Sequence, residues 1–284
     1  MHAGIKFAEV NDSLYERDFR EPFRSQFIHA IEHGGASADI HDASVNVAYA
    51  AGGRQASRGF LKRELERPYS HAANICRWIA HLNPIERVLD VGCGTGGLSL
   101  ALAWTFPDAV VECVDASAVS LRAAELRIAG YGMVQRIRPR FLAPNSPFPF
   151  ESESFDLVTC TSVLEFVTKA EDRSRLLGEI RRVVKPGGYI VLTTPNAWYP
   201  FELHSGRLIG NWHRRQGFPW ASTRGWIRRQ LSGCAFPQVN DRVASKLGFK
   251  LPALLCRVIE PWFPWQFLLA QAQGSRHTKH SCNS

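Results

Sequence analysis

Several chemical signatures are missing from this chain, and each absence narrows its function. The seven cysteines, Cys76, Cys93, Cys113, Cys160, Cys234, Cys256 and Cys282, never stand as C-x-x-C. Their odd number and scatter argue against a disulfide framework or a zinc ribbon, and several lie in apolar runs where a thiol acts as a small hydrophobe. The ten histidines contain no H-E-x-x-H, so no metal site is expected. The opening residues, MHAGIKFAEVNDSLYERDF, lack the apolar core of a signal peptide. The most apolar late stretch, LPALLCRVIEPWFPWQFLLA (251–270), carries Pro252, Arg257, Glu260, Pro261 and Pro264, which make it a poor spanning helix. A cytoplasmic chain in a reducing compartment is the expectation.

What is present is an ordinary globular composition. The 284 residues are 45% hydrophobic and 21% charged, enough for a substantial core. A formal net charge of +8 favours an acidic partner or simply a solvated basic surface. Residues 1–57 read as an N-terminal extension with some helix, ending in a Gly/Ala/Ser-rich loop over 34–57. Apolar residues at helical spacing predict two helices within 58–82, separated by Pro68. Strands are then expected at 87–91, 109–114, 137–142, 155–160 and 188–194, with helices at 97–105, 117–129 and 171–184. Such alternation of continuously apolar strands with helices predicts an α/β fold, a Rossmann-like doubly wound and mostly parallel sheet covered on both faces. Lys185-Pro186-Gly187-Gly188 reads as a turn between helix and strand. Beyond it, 222–236 reads as a capped helix followed by a strand, 265–272 as a final strand, and 273–284 as a disordered polar tail.

The most informative stretch is RVLDVGCGTGGLSLALA (87–103). A glycine-rich turn between strand and helix commonly holds a nucleotide, and Gly92, Gly94 and Gly97 satisfy the dinucleotide pattern G-x-G-x-x-G. Two ligands compete. A dinucleotide brings an anionic pyrophosphate to the loop, whereas S-adenosylmethionine brings a sulfonium, an ammonium and one carboxylate. Asp90, just before the glycines, opposes the former and attracts the latter. Asp115, ending VVECVD, suits the two hydroxyls of a ribose and serves either ligand.

Four segments in order, VLDVGCGTG, VECVDAS, PFPFESESFDLVTCTSVLEFV and EIRRVVKPGGYIVLTTPN, resemble successive motifs of the class I S-adenosylmethionine-dependent methyltransferases. The branch is the one similar to ubiquinone and menaquinone biosynthesis enzymes (type 11). The resemblance is strong over 85–196 and weaker to about 272. It implies a methyltransferase domain over 58–272 with seven strands, the last reversed. It also implies that Asp90, Gly92, Cys93, Gly94 and Gly96 meet the methionyl end of the cofactor and Asp115 its ribose. Asn145, in APNSPF, stands where the family often has an acid for the adenine amino group. Ala116 and Thr161 complete the implied cofactor set. The family's quinone O-methyltransferases show E-x-x-E-H after the fourth strand. Here that run is Ser162-Val163-Leu164-Glu165-Phe166, lacking the first acid and the histidine.

Direct methyl transfer needs a positioned nucleophile and, for a phenol or carbon acid, a base. Glu165, His204 and His213 are the candidate catalytic residues. Each has a plainer alternative: Glu165 as a favourable acid near a helix N-terminus, the histidines as exposed loop residues. The segment 198–229 is rich in Trp and Arg and reads as a substrate-cover insertion, as an interfacial contact with an anionic membrane, or as a small accessory core. No Asn/Asp-Pro-Pro-Tyr run follows the fourth strand, which lowers nucleic-acid and protein-amide substrates. The expected partner is a small, apolar or aromatic methyl acceptor, with no nucleic acid. The alternatives are a nucleic-acid or protein methyltransferase and a catalytically silent cofactor-binding protein. Oligomeric state is not legible.

Overall fold

The computed structural model describes His71 and residues 75–197, Tyr199, 222–236 and 265–273. Seven strands make one sheet: β1 Arg87–Val91, β2 Val110–Asp115, β3 Ile137–Phe141, β4 Phe155–Thr161, β5 Val184–Pro195, β6 Cys234–Ala235 and β7 Trp265–Ala272. Their order is β3-β2-β1-β4-β5-β7-β6. Strands β1 to β5 pair in parallel, while β7 runs antiparallel to β5 and to β6. This is the doubly wound sheet with a reversed last strand that the sequence predicts. The bounds of β1 and β7 coincide with expectation, as do those of the helix α1, Gly97–Thr105. The other helices of more than one turn among the described residues are α2 Ala118–Gly130, α3 Ala170–Val183 and α4 Arg224–Gln230. Ser117 and Thr223 cap α2 and α4, their hydroxyls accepting from Ser120 N and Trp226 N.

Alternation along each strand sends successive side chains to opposite faces of the sheet. On one face Val88, Val111 and Leu157 join Leu98, Leu102 and Ile128 of α1 and α2 in a core, together with Ile75, Cys76 and Ile79. On the other, Leu89, Val91, Val158 and Ile190 pack with Leu177, Ile180 and Ile227 of α3 and α4. Cys76, Cys93, Cys113 and Cys160 are buried free thiols, as their apolar sequence contexts suggest. No helix among the described residues is long and apolar enough to cross a membrane. The expected helices of 58–82 are described only near Arg77–Ile79. The extension 1–57, most of the insertion 198–229 and the tail beyond 273 lie outside the described residues.

One expectation needs correction. Lys185–Gly188 is not a turn before the strand but an irregularity inside β5. Phe155 pairs with Val184, and the next pair, Leu157 with Tyr189, skips four residues of β5. Gly187 takes φ 81 there, and a Cβ on Gly188 would stand 2.9 Å from the Asp156 carbonyl oxygen. Asp156 ties this bulge to the start of the sheet. Its Oδ2 accepts from the amides of Glu86 (3.0 Å) and Arg87 (2.8 Å), and Lys185 Nζ donates to its Oδ1 at 2.6 Å. Burial alone would raise this carboxyl, but the hydrogen bonds from Lys185, Arg87 and Glu86 outweigh it and hold it below the ordinary range. A depressed acid lends stability above its unfolded pKa and loses it as pH falls. Asp156→Ala should therefore lower stability by ~1–2 kcal/mol at neutral pH. Chemical denaturation across pH checks this: the gap to wild type should close on acidification, and a pH-independent gap would contradict the assignment.

Candidate functional site

Chain crossovers diverge between β1 and β4, so the carboxyl ends of the strands open into a crevice there. The glycine loop after β1 shapes it. Gly92, Gly94 and Gly96 take φ 70, 54 and 77, left-handed values that other residues rarely hold. A side chain on Gly92 would overlap Val163 from the β4 loop, so glycine here permits two loops to meet. At Gly96 a Cβ would stand 3.1 Å from Ala124 Cβ, which sets the approach of α1 to α2.

The amides of this loop are already engaged. Gly92 N and Cys93 N donate to Val114 O at 2.8 and 3.1 Å, and Gly96 N donates to Cys93 O at 3.0 Å. Gly94 N donates to Asp115 Oδ2 at 2.7 Å. The other oxygen, Oδ1, accepts from Ser117 N at 2.8 Å. Two amides thus fix the half-buried Asp115 carboxylate at the end of β2, at the head of α2. A carboxylate can accept about four hydrogen bonds, so ligand hydroxyls can join these amides.

Around this acid lies a cavity of about 850 Å³. Gly92, Cys93, Gly94, Asp115, Ala116, Asn145, Thr161 and Glu165 all line it, so the structure brings eight of the residues singled out from sequence around one cavity. Asn145 is held at φ 63, in the left-handed region that asparagine tolerates better than most residues. Its loop is pinned to α3. Phe148 N donates to Glu179 Oε2 at 2.7 Å, and Arg182 donates to the carbonyls of Phe148 and Phe150 at 3.1 and 2.8 Å. The Arg182 hydrogen bond, aided by the Phe148 amide and against a smaller effect of burial, keeps Glu179 below the usual carboxylate range.

Two expected cofactor residues do not reach the cavity. Gly96 is turned to α2, as above. Asp90 is 1% exposed and lies on the α1 face of β1, because strand alternation puts Leu89 and Val91 on the other face. Ser99 Oγ donates to its Oδ2 at 2.6 Å and Thr159 Oγ1 to its Oδ1 at 2.7 Å. Burial pushes its pKa up to about 6 against those two hydrogen bonds, with Asp115 adding a small upward push. In this structure both Asp90 oxygens are engaged by hydroxyls of the protein and the residue does not line the cavity. The loop amides of Gly92, Cys93, Gly94 and Gly96 already have acceptors within the protein, which leaves them unavailable to a pyrophosphate.

Glu165 sits in a one-turn 3₁₀ helix, Leu164–Phe166, with no exposure at all. It is buried and lines the cavity, ahead of the start of α3. Thr194 Oγ1 donates to its Oε2 at 3.4 Å, and Oε1 has no hydrogen-bond partner among the described residues. Burial pushes its pKa up to about 8, with small opposing effects from its hydrogen bonds. His204 and His213 lie outside the described residues. Sequence reasoning missed Thr194, although a hydroxyl pair inside the apolar run VLTT was a visible signal. It also missed Val163 and the cavity-lining Asp172 and Arg175 of α3, whose charged pattern reads as an ordinary solvated helix face.

Residues 89–192 match the family described as Methyltransferase domain. The ubiquinone biosynthesis O-methyltransferase of Paracidovorax citrulli is 37% identical over 125 residues, covering 42% of this chain and 48% of that protein. The malonyl-acyl-carrier-protein O-methyltransferase of Halalkalibacterium halodurans is 28% identical over 153 residues, covering 51% of this chain and 54% of that protein. The chain thus spans about half the length of these curated relatives. In fold it is similar to the geranyl diphosphate C-methyltransferase of Streptomyces coelicolor A3(2), solved with S-adenosyl-L-homocysteine. The TM-score is 0.53 and the identity 18%, over 72% of this chain and 79% of that one.

An acid raised from 3.8 to about 6 by folding favours the native state below its unfolded pKa and loses that contribution as pH rises through about 6. Asp90→Asn should remove this slope while retaining an acceptor for one hydroxyl. Thermal melts between mildly acidic and neutral pH test it, and an unchanged slope in the variant would sink the assignment.

Proposed function

We propose that residues 89–192 form a class I S-adenosylmethionine-dependent methyltransferase domain of the type 11 branch and that this chain methylates a small, apolar or aromatic acceptor. The observation that carries the reading is Asp115, a carboxylate fixed by two backbone amides at the rim of the cavity. It accepts the ribose hydroxyls of the cofactor. The loop Gly92–Gly94 backs the methionyl end, and Leu142, Asn145 and Phe148 flank the adenine. The acceptor occupies the remaining space beside Ser162, Glu165, Phe166 and Trp265. A cavity of about 850 Å³ accommodates both molecules.

Because the donor carries an activated methyl group, the protein's task is alignment and exclusion of water. Oriented proximity of that kind is worth ~7–11 kcal/mol. A relative named for ubiquinone biosynthesis supports a small acceptor.

Calorimetry with S-adenosylhomocysteine should show one saturable site, with no comparable binding of NAD. Asp115→Ala should weaken it by roughly 3 kcal/mol, on the order of a hundredfold, through loss of two charge-assisted hydrogen bonds. Unchanged affinity would refute the ribose assignment. For the acceptor, labelled methyl from S-adenosylmethionine should enter the organic-extractable fraction of a cell lysate. Label in RNA or protein would favour a macromolecular substrate, and label nowhere a silent binding protein.

A further inference from the structure

We propose that Ser162 orients the methyl acceptor, its hydroxyl hydrogen-bonding a hydroxyl or carbonyl oxygen that the acceptor presents to the exit of β4. The inference rests on the methyltransferase reading above and adds to it a residue that sets acceptor specificity. Three described residues other than glycine hold a positive φ: Asn145, Glu153 and Ser162. Glu153 stands in an exposed turn, whereas Asn145 and Ser162 line the cavity. Asparagine tolerates the left-handed region better than most residues. Serine has no such allowance, yet Ser162 is held there at φ 58, its amide donating to Thr193 O at 3.0 Å.

Glycine would make this turn without strain. What serine adds is one carbon and a hydroxyl, which donates one hydrogen bond and accepts two. Backbone strain kept at a cavity wall is offset by what the side chain does there. The Ser162 side chain is exposed, and no hydrogen bond engages its hydroxyl among the described residues.

The position joins the two halves of the cavity. Val163, the next residue, lies so close to Gly92 that a Cβ on the glycine would overlap it, so the β4 loop and the glycine loop touch beside Ser162. Val163, Phe166, Val167 and Trp265 give the acceptor side apolar walls. A pocket of this kind draws affinity from its walls and orientation from a few polar groups. The charged side chains of the lining have partners of their own. Arg175 donates to Asp172 Oδ1 at 2.9 Å, and Glu179 Oε2 accepts from Arg182 and from the Phe148 amide, each at 2.7 Å. Asp115 holds two amides, and the buried Glu165 accepts from Thr194. The Ser162 hydroxyl is thus an unengaged polar group beside an apolar wall, and its neutrality suits a neutral oxygen on the acceptor.

The test uses the full chain saturated with S-adenosylhomocysteine, with saturation established by calorimetry. It is run at mildly acidic pH, where a phenol is uncharged and Glu165, pushed up to about 8, is protonated. Two probes are titrated by ligand-observed NMR: 4-methylphenol, and p-xylene, which carries a methyl group in place of the hydroxyl. Relative to the wild type, Ser162→Gly and Ser162→Ala should each bind 4-methylphenol about fivefold to tenfold more weakly, the effect of one neutral hydrogen bond, while p-xylene stays within about twofold. Stability should separate the two variants. Alanine keeps a Cβ at positive φ and glycine relieves it, so Ser162→Gly should melt no lower than the wild type and above Ser162→Ala. A loss of both probes alike, or of neither, would overturn the proposal alone. So would a glycine variant that melts well below the wild type, or no binding of either probe by the saturated wild type. Failure of the wild type to bind S-adenosylhomocysteine would overturn both this proposal and the methyltransferase reading.

Discussion

Everything at the mouth of this sheet depends on how the glycine loop is fastened to the neighbouring strand. Gly92, Cys93 and Gly94 turn their amides toward the end of β2, two to the Val114 carbonyl and one to the Asp115 carboxylate. That fastening does two things at once. It removes three amides from any anion cradle, and it holds the Asp115 side chain where a ligand diol can reach it. The loop can lie so close only because Gly92 has no side chain to strike Val163. A single fold detail therefore links the tight turn, the choice of ligand and the wall of the acceptor space.

Three carboxylates near the strand ends have three different fates, and environment alone separates them. Asp115 is half-buried and receives two amides. Asp90 is enclosed between α1 and β4, where two hydroxyls offset only part of its desolvation. Glu165 is enclosed, its long hydrogen bond from Thr194 and its own backbone amide offset little of the desolvation, and burial governs it. The one with the best backbone support stands at the rim of the cavity, the one sealed by hydroxyls lies under α1, and the one with the fewest partners belongs to the cavity's lining.

Much of this was legible in the sequence because the strands are buried on both faces and read as apolar runs. RVLDV, WQFLLAQA and the helix GLSLALAWT announced themselves by composition and glycine punctuation. The Lys185–Gly188 bulge was not legible as such, since a Pro-Gly-Gly run signals a turn whether or not a neighbouring strand pairs across it. Asp90 shows the same limit. Its place in the motif suggested a ligand contact, but strand alternation, which the sequence also encodes, sends it under α1. The burial of Glu165 could not be read at all, because it arises from the 3₁₀ turn and from Thr194 on a strand distant in sequence.

The most direct test of the account is a diffraction structure of this chain grown with S-adenosylhomocysteine. The account predicts both ribose hydroxyls on Asp115, the methionyl end against Gly92–Gly94, and the sulfur turned toward the space beside Glu165. A ligand whose ribose lies away from Asp115, or whose sulfur is walled off from Glu165, would contradict it.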